Sequence, residues 1–138
     1  MRVKLIAEIA QAHNGSLATA HRYIDALATT GIDAIKFQTH IAEAESSIYE
    51  PFRVKFSKQD KTRFDYWKRT SFQLSEWKKL KEYCDSLSIG FLCTPFSVNA
   101  AIELNSIGVA RWKIGSGDLS NPELLENLIT TRKPIILS

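Results

Sequence analysis

Lys36 and Lys113 each lie near the end of a short stretch in which apolar and polar residues alternate. Gln38 follows the first, and Gly115-Ser116-Gly117-Asp118 follows the second. Glu8, Thr94 and Ser138 hold the equivalent ends of three further stretches. Two ammonium groups with hydroxyls and loop amides around them suit a phosphate or a carboxylate. Lysine supplies a point charge, and hydroxyls and backbone N–H groups complete the shell. The glycines flanking Ser116 let backbone amides approach a bound group closely. The run is not a dinucleotide-binding fingerprint, because the third glycine of that pattern would fall at Ser120.

Taken singly, these residues also have plainer readings. Glu8 could be a charged strand end, and Lys36 and Lys113 could be solvated strand faces. Thr94 before Pro95 could simply end a strand. Gln38 could be a packing contact, and Asp118 an Asx-turn residue ahead of Asn121. Ser138 carries little meaning alone. His13, His21 and His40 lack close metal-ligand spacing. His13, beside Asn14-Gly15, is expected to fix the first loop, His21 to lie on a surface helix, and His40 to shape the mouth of the site. Cys84 and Cys93 are too few for a disulfide framework and read as small core residues.

The elements that must position this set follow from periodicity. Strands are predicted at Lys4–Ile9, Asp33–Gln38, Ile89–Thr94, Val109–Ile114 and Lys133–Ser138, the third closed by Pro95. Helices are predicted after Ser16 (Leu17, Ala20, Ile24, Leu27 and Ala28 inward, Gly31 at its end), after Ser75 (Trp77, Leu80, Cys84, Leu87), after Ser97 (Val98, Ala101, Ile102, Leu104, then Gly108) and from Asn121-Pro122-Glu123. Residues 41–72 read as a long, irregular, charge-rich inserted loop. Alternation of strand and helix implies parallel pairing with right-handed crossovers. Each predicted strand has one apolar face and one face that turns polar at its C-terminal end. A doubly wound sheet would bury that polar face under helices at a cost. A (β/α)8 barrel turns it into the lumen, with the active site at the C-terminal mouth. The fold class expected is therefore α/β, the N-terminal portion of a (β/α)8 TIM-type barrel, since a whole barrel takes about 250 residues. Such a portion alone would have unpaired lateral edges and is expected to self-associate or be marginally stable.

Composition fits a single folded domain: 138 residues, 44% hydrophobic and 24% charged. Neither a membrane span nor a secretory leader is legible, so a cytoplasmic protein is expected. The net charge of +3 suits a small anionic ligand and does not by itself imply nucleic acid. Arg53 to Arg69 interleaves seven basic residues with Phe56, Phe64, Tyr66 and Trp67. That pattern could bind single-stranded nucleic acid, but an active-site loop with an apolar anchor is the favoured reading.

Five stretches in order carry a family resemblance: Ile6-Ala7-Glu8-Ile9 with His13-Asn14-Gly15, Lys36-Phe37-Gln38-Thr39-His40, Thr94-Pro95-Phe96-Ser97, Lys113-Ile114-Gly115-Ser116-Gly117-Asp118, and Lys133-Pro134-Ile135-Ile136-Leu137-Ser138. The chain resembles the sialic acid synthase family, which makes N-acetylneuraminate and related nonulosonic acids from phosphoenolpyruvate. The resemblance runs over essentially all 138 residues. It implies that residues 1–138 are the first part of a synthase barrel, followed in the family by the rest of the barrel and a small antifreeze-like domain, and that the enzyme is a homodimer. It places Lys36, Thr94, Lys113, Ser116 and Ser138 on phosphoenolpyruvate, Gln38 and Asp118 on the amino sugar, and Glu8 as an active-site acid. Bacterial members often carry Glu where Asp118 stands. The shorter side chain must reach the sugar differently or through water, which leaves the acceptor open.

The chemistry implied is attack by C3 of phosphoenolpyruvate on the aldehyde of open-chain N-acetylmannosamine or a related amino sugar, addition of water at C2, and loss of phosphate by C–O cleavage. Lys36 and Lys113 would offset and orient the substrate's charge, and Glu8 would hydrogen-bond the sugar or guide the water. A divalent metal, Mn²⁺ or Mg²⁺, is implied as the Lewis acid, with its histidine ligands beyond Ser138. No nucleic-acid or membrane partner is expected, and residues 1–138 alone are expected to be inactive. Another phosphoenolpyruvate or aldolase-type barrel with a different acceptor is the alternative enzyme, and a nucleic-acid-binding module using residues 53–69 the alternative from another class.

Overall fold

The computed structural model describes residues 2–138. Strand β1 (Ile6–Ala10) leads into helix α1 (Leu17–Ala28), whose Ser16 cap accepts from Thr19 N. Strand β2 (Ala34–Thr39) is followed by one helical turn, α2 (Ala42–Glu45), and by helices α3 (Arg63–Thr70) and α4 (Leu74–Ser86). Then come β3 (Gly90–Pro95), α5 (Val98–Ser106), β4 (Trp112–Ile114), a 3₁₀ turn at Ser116–Asp118, α6 (Pro122–Thr130) and β5 (Ile135–Leu137). The Ser97 and Asn121 caps form as their sequence signatures predict, accepting from Ala100 N and Leu124 N. No helix among the described residues is long and apolar enough to cross a membrane.

All pairings are parallel. The ladders run β1-β2-β3 and β4-β5, and β3 lies beside β4, so the strands follow one another in chain order. One core holds the helix-facing strand residues Ile35, Phe37, Phe91, Cys93, Trp112 and Ile114 together with residues of α1, α4, α5 and α6. The helices therefore cover a single face of the strand array. Sequential order with helices on one side only is the arrangement of the first five units of a (β/α)8 barrel; a doubly wound sheet reverses its strand order and is covered on both faces.

Several expectations are corrected. The stretch 41–72 is not one irregular loop, because it contains α2 and α3. Helix α3 starts at a capping box in which the Thr62 side chain accepts from Asp65 N and the Asp65 carboxylate accepts from Thr62 N. Its charged exterior masks the apolar period. Helix α4 begins two residues earlier than a Ser75 cap would allow, with its cap at Gln73, which forms a capping box with Glu76. Pro95 belongs to β3 rather than closing it, and β4 and β5 are three residues each. Leu87 and Ile102 are exposed, and Ala100 takes the inward position on α5. The uniform apolar face holds for β2, β3 and β4 but weakens at the first and last strands, where Leu5 and Leu137 are exposed. These two strands each have one ladder neighbour.

The inserted segment is docked on the β1–α1 turn. Arg69 donates to Asn14 Oδ1 at 2.8 Å and pairs with the buried Asp60 at 2.7 Å. That guanidinium holds the Asp60 carboxyl below the usual carboxylate range. Gly15 has φ +79°, and a Cβ there would lie 2.4 Å from the Arg69 carbonyl oxygen. Backbone therefore rests directly on Gly15. Beneath it, His13 is fully buried, stacks on Phe72 at 4.4 Å and accepts from Gly15 N through Nδ1. Burial pushes its pKa from 6.5 down to about 4.

Two outcomes follow from this socket. Gly15→Ala is expected to cost more than about 2 kcal/mol, combining left-handed strain with displacement of the insert. An unchanged urea midpoint would refute the contact. His13 stays neutral in the fold and takes up a proton on unfolding, so stability is complete above its ordinary pKa of 6.5 and is lost as pH falls toward about 4. Unfolding midpoints measured across that window should flatten in His13→Gln relative to the parent chain.

Candidate functional site

The parallel register sets the site. Glu8 on β1 is the ladder partner of Lys36 on β2, and Gln38 is the partner of Thr94 on β3. Lys36 lies between Ile35 and Phe37, which enter the helix-covered core, so its ammonium goes to the opposite face. There it ion-pairs with the Glu8 carboxylate. The other Glu8 oxygen accepts from Ala10 N at 3.0 Å, across a register break at which Ala10 has φ +49°. Glu8 is thus pinned by a bulge on one side and a cation on the other.

Lys113 on β4 donates to Ser138 Oγ at 2.5 Å and to the Ile114 carbonyl at 2.6 Å. Burial holds its pKa below the usual lysine range; the positive charge of Lys36 lowers it further, and Glu8 opposes this. The two lysines and Glu8 therefore act on one another across the strand ends. Thr94 is 2% exposed, and among the described residues its hydroxyl has no hydrogen-bond partner. An unpartnered buried hydroxyl costs about 1–3 kcal/mol, which a bound acceptor group would offset.

Glu8, Lys36, Lys113 and Ser138 thus meet at one end of the strands, with Thr94 and Gln38 in the adjoining ladder. Ser116 and Asp118 stand apart from them. Both lie on the 3₁₀ turn after β4; Ser116 is exposed, and Asp118 faces a cavity of about 710 Å³. Arg53, Phe56, Trp67 and Phe96 also line that cavity. A Cβ at Gly115 would lie 3.9 Å from both Asp118 Oδ2 and Phe96 Cε1, so this backbone passes close to both walls.

Sequence reasoning missed Phe96, Trp67 and Glu45 as lining residues, although a signal existed. His40 and Phe96 fall one residue past β2 and β3, at the mouth. The basic and aromatic stretch contributes wall residues, as an active-site loop would. Part of its charge is engaged: Arg63 pairs with Glu50 at 2.6 Å, Lys68 with Glu43 at 2.9 Å and Arg69 with Asp60 at 2.7 Å, while Arg53, Lys55, Lys58 and Lys61 are exposed. Its aromatics pack against one another, Phe56 edge-on to Tyr66 at 4.9 Å and Tyr66 tilted against Trp67 at 4.8 Å. Rings packed edge to face make a wall rather than a platform for stacking bases.

No group of three or more His, Cys, Asp or Glu side chains among the described residues could hold a metal ion. The strand-end set of two ammonium groups and one carboxylate suits an anion instead. Cys93 is buried with its thiol against Thr39 Oγ1 at 2.8 Å, and burial pushes its pKa up to about 12, so it is no nucleophile.

Anion binding checks this geometry. In the complete protein, Glu8→Gln is expected to tighten inorganic phosphate by about threefold by freeing Lys36, and Lys36→Met to abolish binding. Titration calorimetry showing weaker binding in Glu8→Gln would refute competition between Glu8 and an anion.

Comparison with known proteins adds the following. The model for the NeuB family matches residues 23–138. The N,N'-diacetyllegionaminic acid synthase of Campylobacter jejuni is 31% identical, covering 97% of this chain and 41% of that protein. The N-acetylneuraminate-9-phosphate synthase of Homo sapiens is 29% identical over 97% of this chain and 38% of its own length. The crystal structure of N-acetylneuraminic acid synthetase from Leptospira borgpetersenii, in complex with citrate, superposes with a TM-score of 0.81 at 32% identity, covering 99% of this chain and 44% of that one. The chain thus spans well under half the length of the relatives it matches.

Proposed function

This chain belongs to the NeuB family, and we propose that its strand-end site holds phosphoenolpyruvate for condensation with an N-acetylated amino sugar, giving a nonulosonic acid and phosphate. The observation that carries the reading is the convergence of Lys36 and Lys113 on one face, with Glu8 as the carboxylate paired to Lys36. That surplus of positive charge suits a substrate bearing both a carboxylate and a phosphate. The names of the relatives, synthases of legionaminic, pseudaminic and neuraminic acids, support the product class.

Lys36 and Lys113 bind and orient the three-carbon acid, and the hydroxyls of Thr94 and Ser138 complete its shell. In the condensation, C3 of the enol forms a bond to the sugar's aldehyde carbon. Water adds at C2, and phosphate leaves with its bridging oxygen. Gln38 and Asp118 face the acceptor, and Glu8 is placed to hold the water or a sugar hydroxyl. A metal would have to draw its ligands from outside these residues, because the donor set here does not fit one.

In the complete enzyme, Lys113→Ala is expected to raise the KM for phosphoenolpyruvate by about tenfold or more, read as phosphate release with N-acetylmannosamine, its 6-phosphate or a diacetamido sugar as acceptor. Parent-like kinetics in the variant would remove Lys113 from the site. A parent enzyme that releases no phosphate with any acceptor would remove the reading.

A further inference from the structure

His40 ends the Lys36-Phe37-Gln38-Thr39-His40 run, one residue past β2. It is 4% exposed. One face of its ring lies on Trp67, with centroids 3.5 Å apart and planes 8° from parallel. The other lies near Phe96, at 4.2 Å and 16°. Beyond Trp67, the Arg63 guanidinium sits 5.7 Å from the indole. The ring's orientation is fixed from behind. Glu45 Oε2 accepts from His40 Nδ1 at 2.8 Å, while Glu45 Oε1 accepts from Ile41 N at 2.7 Å. The single turn α2 brings Glu45 back to make both bonds. The His40 carbonyl accepts from Ser71 Oγ at 2.6 Å.

Trp67 belongs to the insert and Phe96 to the loop after β3, and both line the cavity that Asp118 faces. The imidazole is the flat spacer between them. We propose that His40 is a positioning residue for the acceptor sugar: its clamped ring sets the separation of the Trp67 and Phe96 walls, and so determines how the amino sugar seats, without touching phosphoenolpyruvate. This rests on the synthase reading above. Removing the ring's thickness lets one wall collapse onto the other. The lysine cluster, on other strand positions, is left unchanged.

The test compares His40→Leu with His40→Phe in the complete enzyme, using whichever of N-acetylmannosamine, its 6-phosphate and a 2,4-diacetamido-trideoxyhexose the parent turns over. His40→Leu is expected to raise the acceptor KM by about tenfold or more, as a misplaced wall displaces the sugar, with the KM for phosphoenolpyruvate within about twofold. His40→Phe, which keeps a flat ring in the slot, is expected to restore most of the acceptor KM. An unchanged acceptor KM in His40→Leu, or equal losses for both substrates in both variants, would overturn the inference while the parent's activity leaves the synthase reading standing. A parent that condenses phosphoenolpyruvate with none of the three would remove both. If His40→Leu does not fold, Trp67→Leu takes its place: the same acceptor-specific loss supports the spacer role, and a parent-like acceptor KM overturns it.

Discussion

Parallel register between neighbouring strands is the constraint on which the site depends. Because side chains alternate along a strand, one register decision sends Ile35 and Phe37 into the helix-covered core and Lys36 to the opposite face. The same decision sets Glu8 beside Lys36 and Thr94 beside Gln38. A slip of one residue would bury the Lys36 ammonium among Phe91, Trp77 and Cys84 and lift Phe37 out of the core. The hydrophobic gain on one face thus fixes the electrostatics on the other.

The second determinant is the inserted segment, held at both ends by polar contacts. At one end Arg69 ties Asp60 to the Asn14-Gly15 turn. At the other, Glu45 and Ser71 tie the segment to His40 at the tip of β2. Between these ties the aromatic residues Phe56, Tyr66 and Trp67 pack edge-on and tilted in series. The segment consequently acts as one wall of a cavity rather than a free loop, contributing the aromatic residues Phe52, Phe56 and Trp67 together with the charged Glu45, Arg53 and Arg63.

Most of the strand-end chemistry was legible in the sequence because it follows from period two. Lys36 between Ile35 and Phe37, and Lys113 between Trp112 and Ile114, state their own sidedness. The Ser97 and Asn121-Pro122 signals likewise place α5 and α6, since a cap is a local hydrogen bond. Helix α3 was not legible. Its capping box was present at Thr62–Asp65, but Lys68, Arg69 and Arg63 interrupt the apolar period that reveals a helix, and its packing partners lie far away in sequence.

The sequence by itself determined which faces of β2, β3 and β4 are wet, where α1, α5 and α6 begin, and which residue types stand at the strand ends, because those are matters of spacing within one element. Tertiary structure alone decided that Glu8 neutralises Lys36, that Lys113 feels the Lys36 charge, that Asp118 turns to a separate cavity, and that His40 is sandwiched between Trp67 and Phe96. Each of these depends on distances between elements separated by tens of residues. Such distances are set by packing and hydrogen bonding across the fold, to which a one-dimensional pattern carries no direct record.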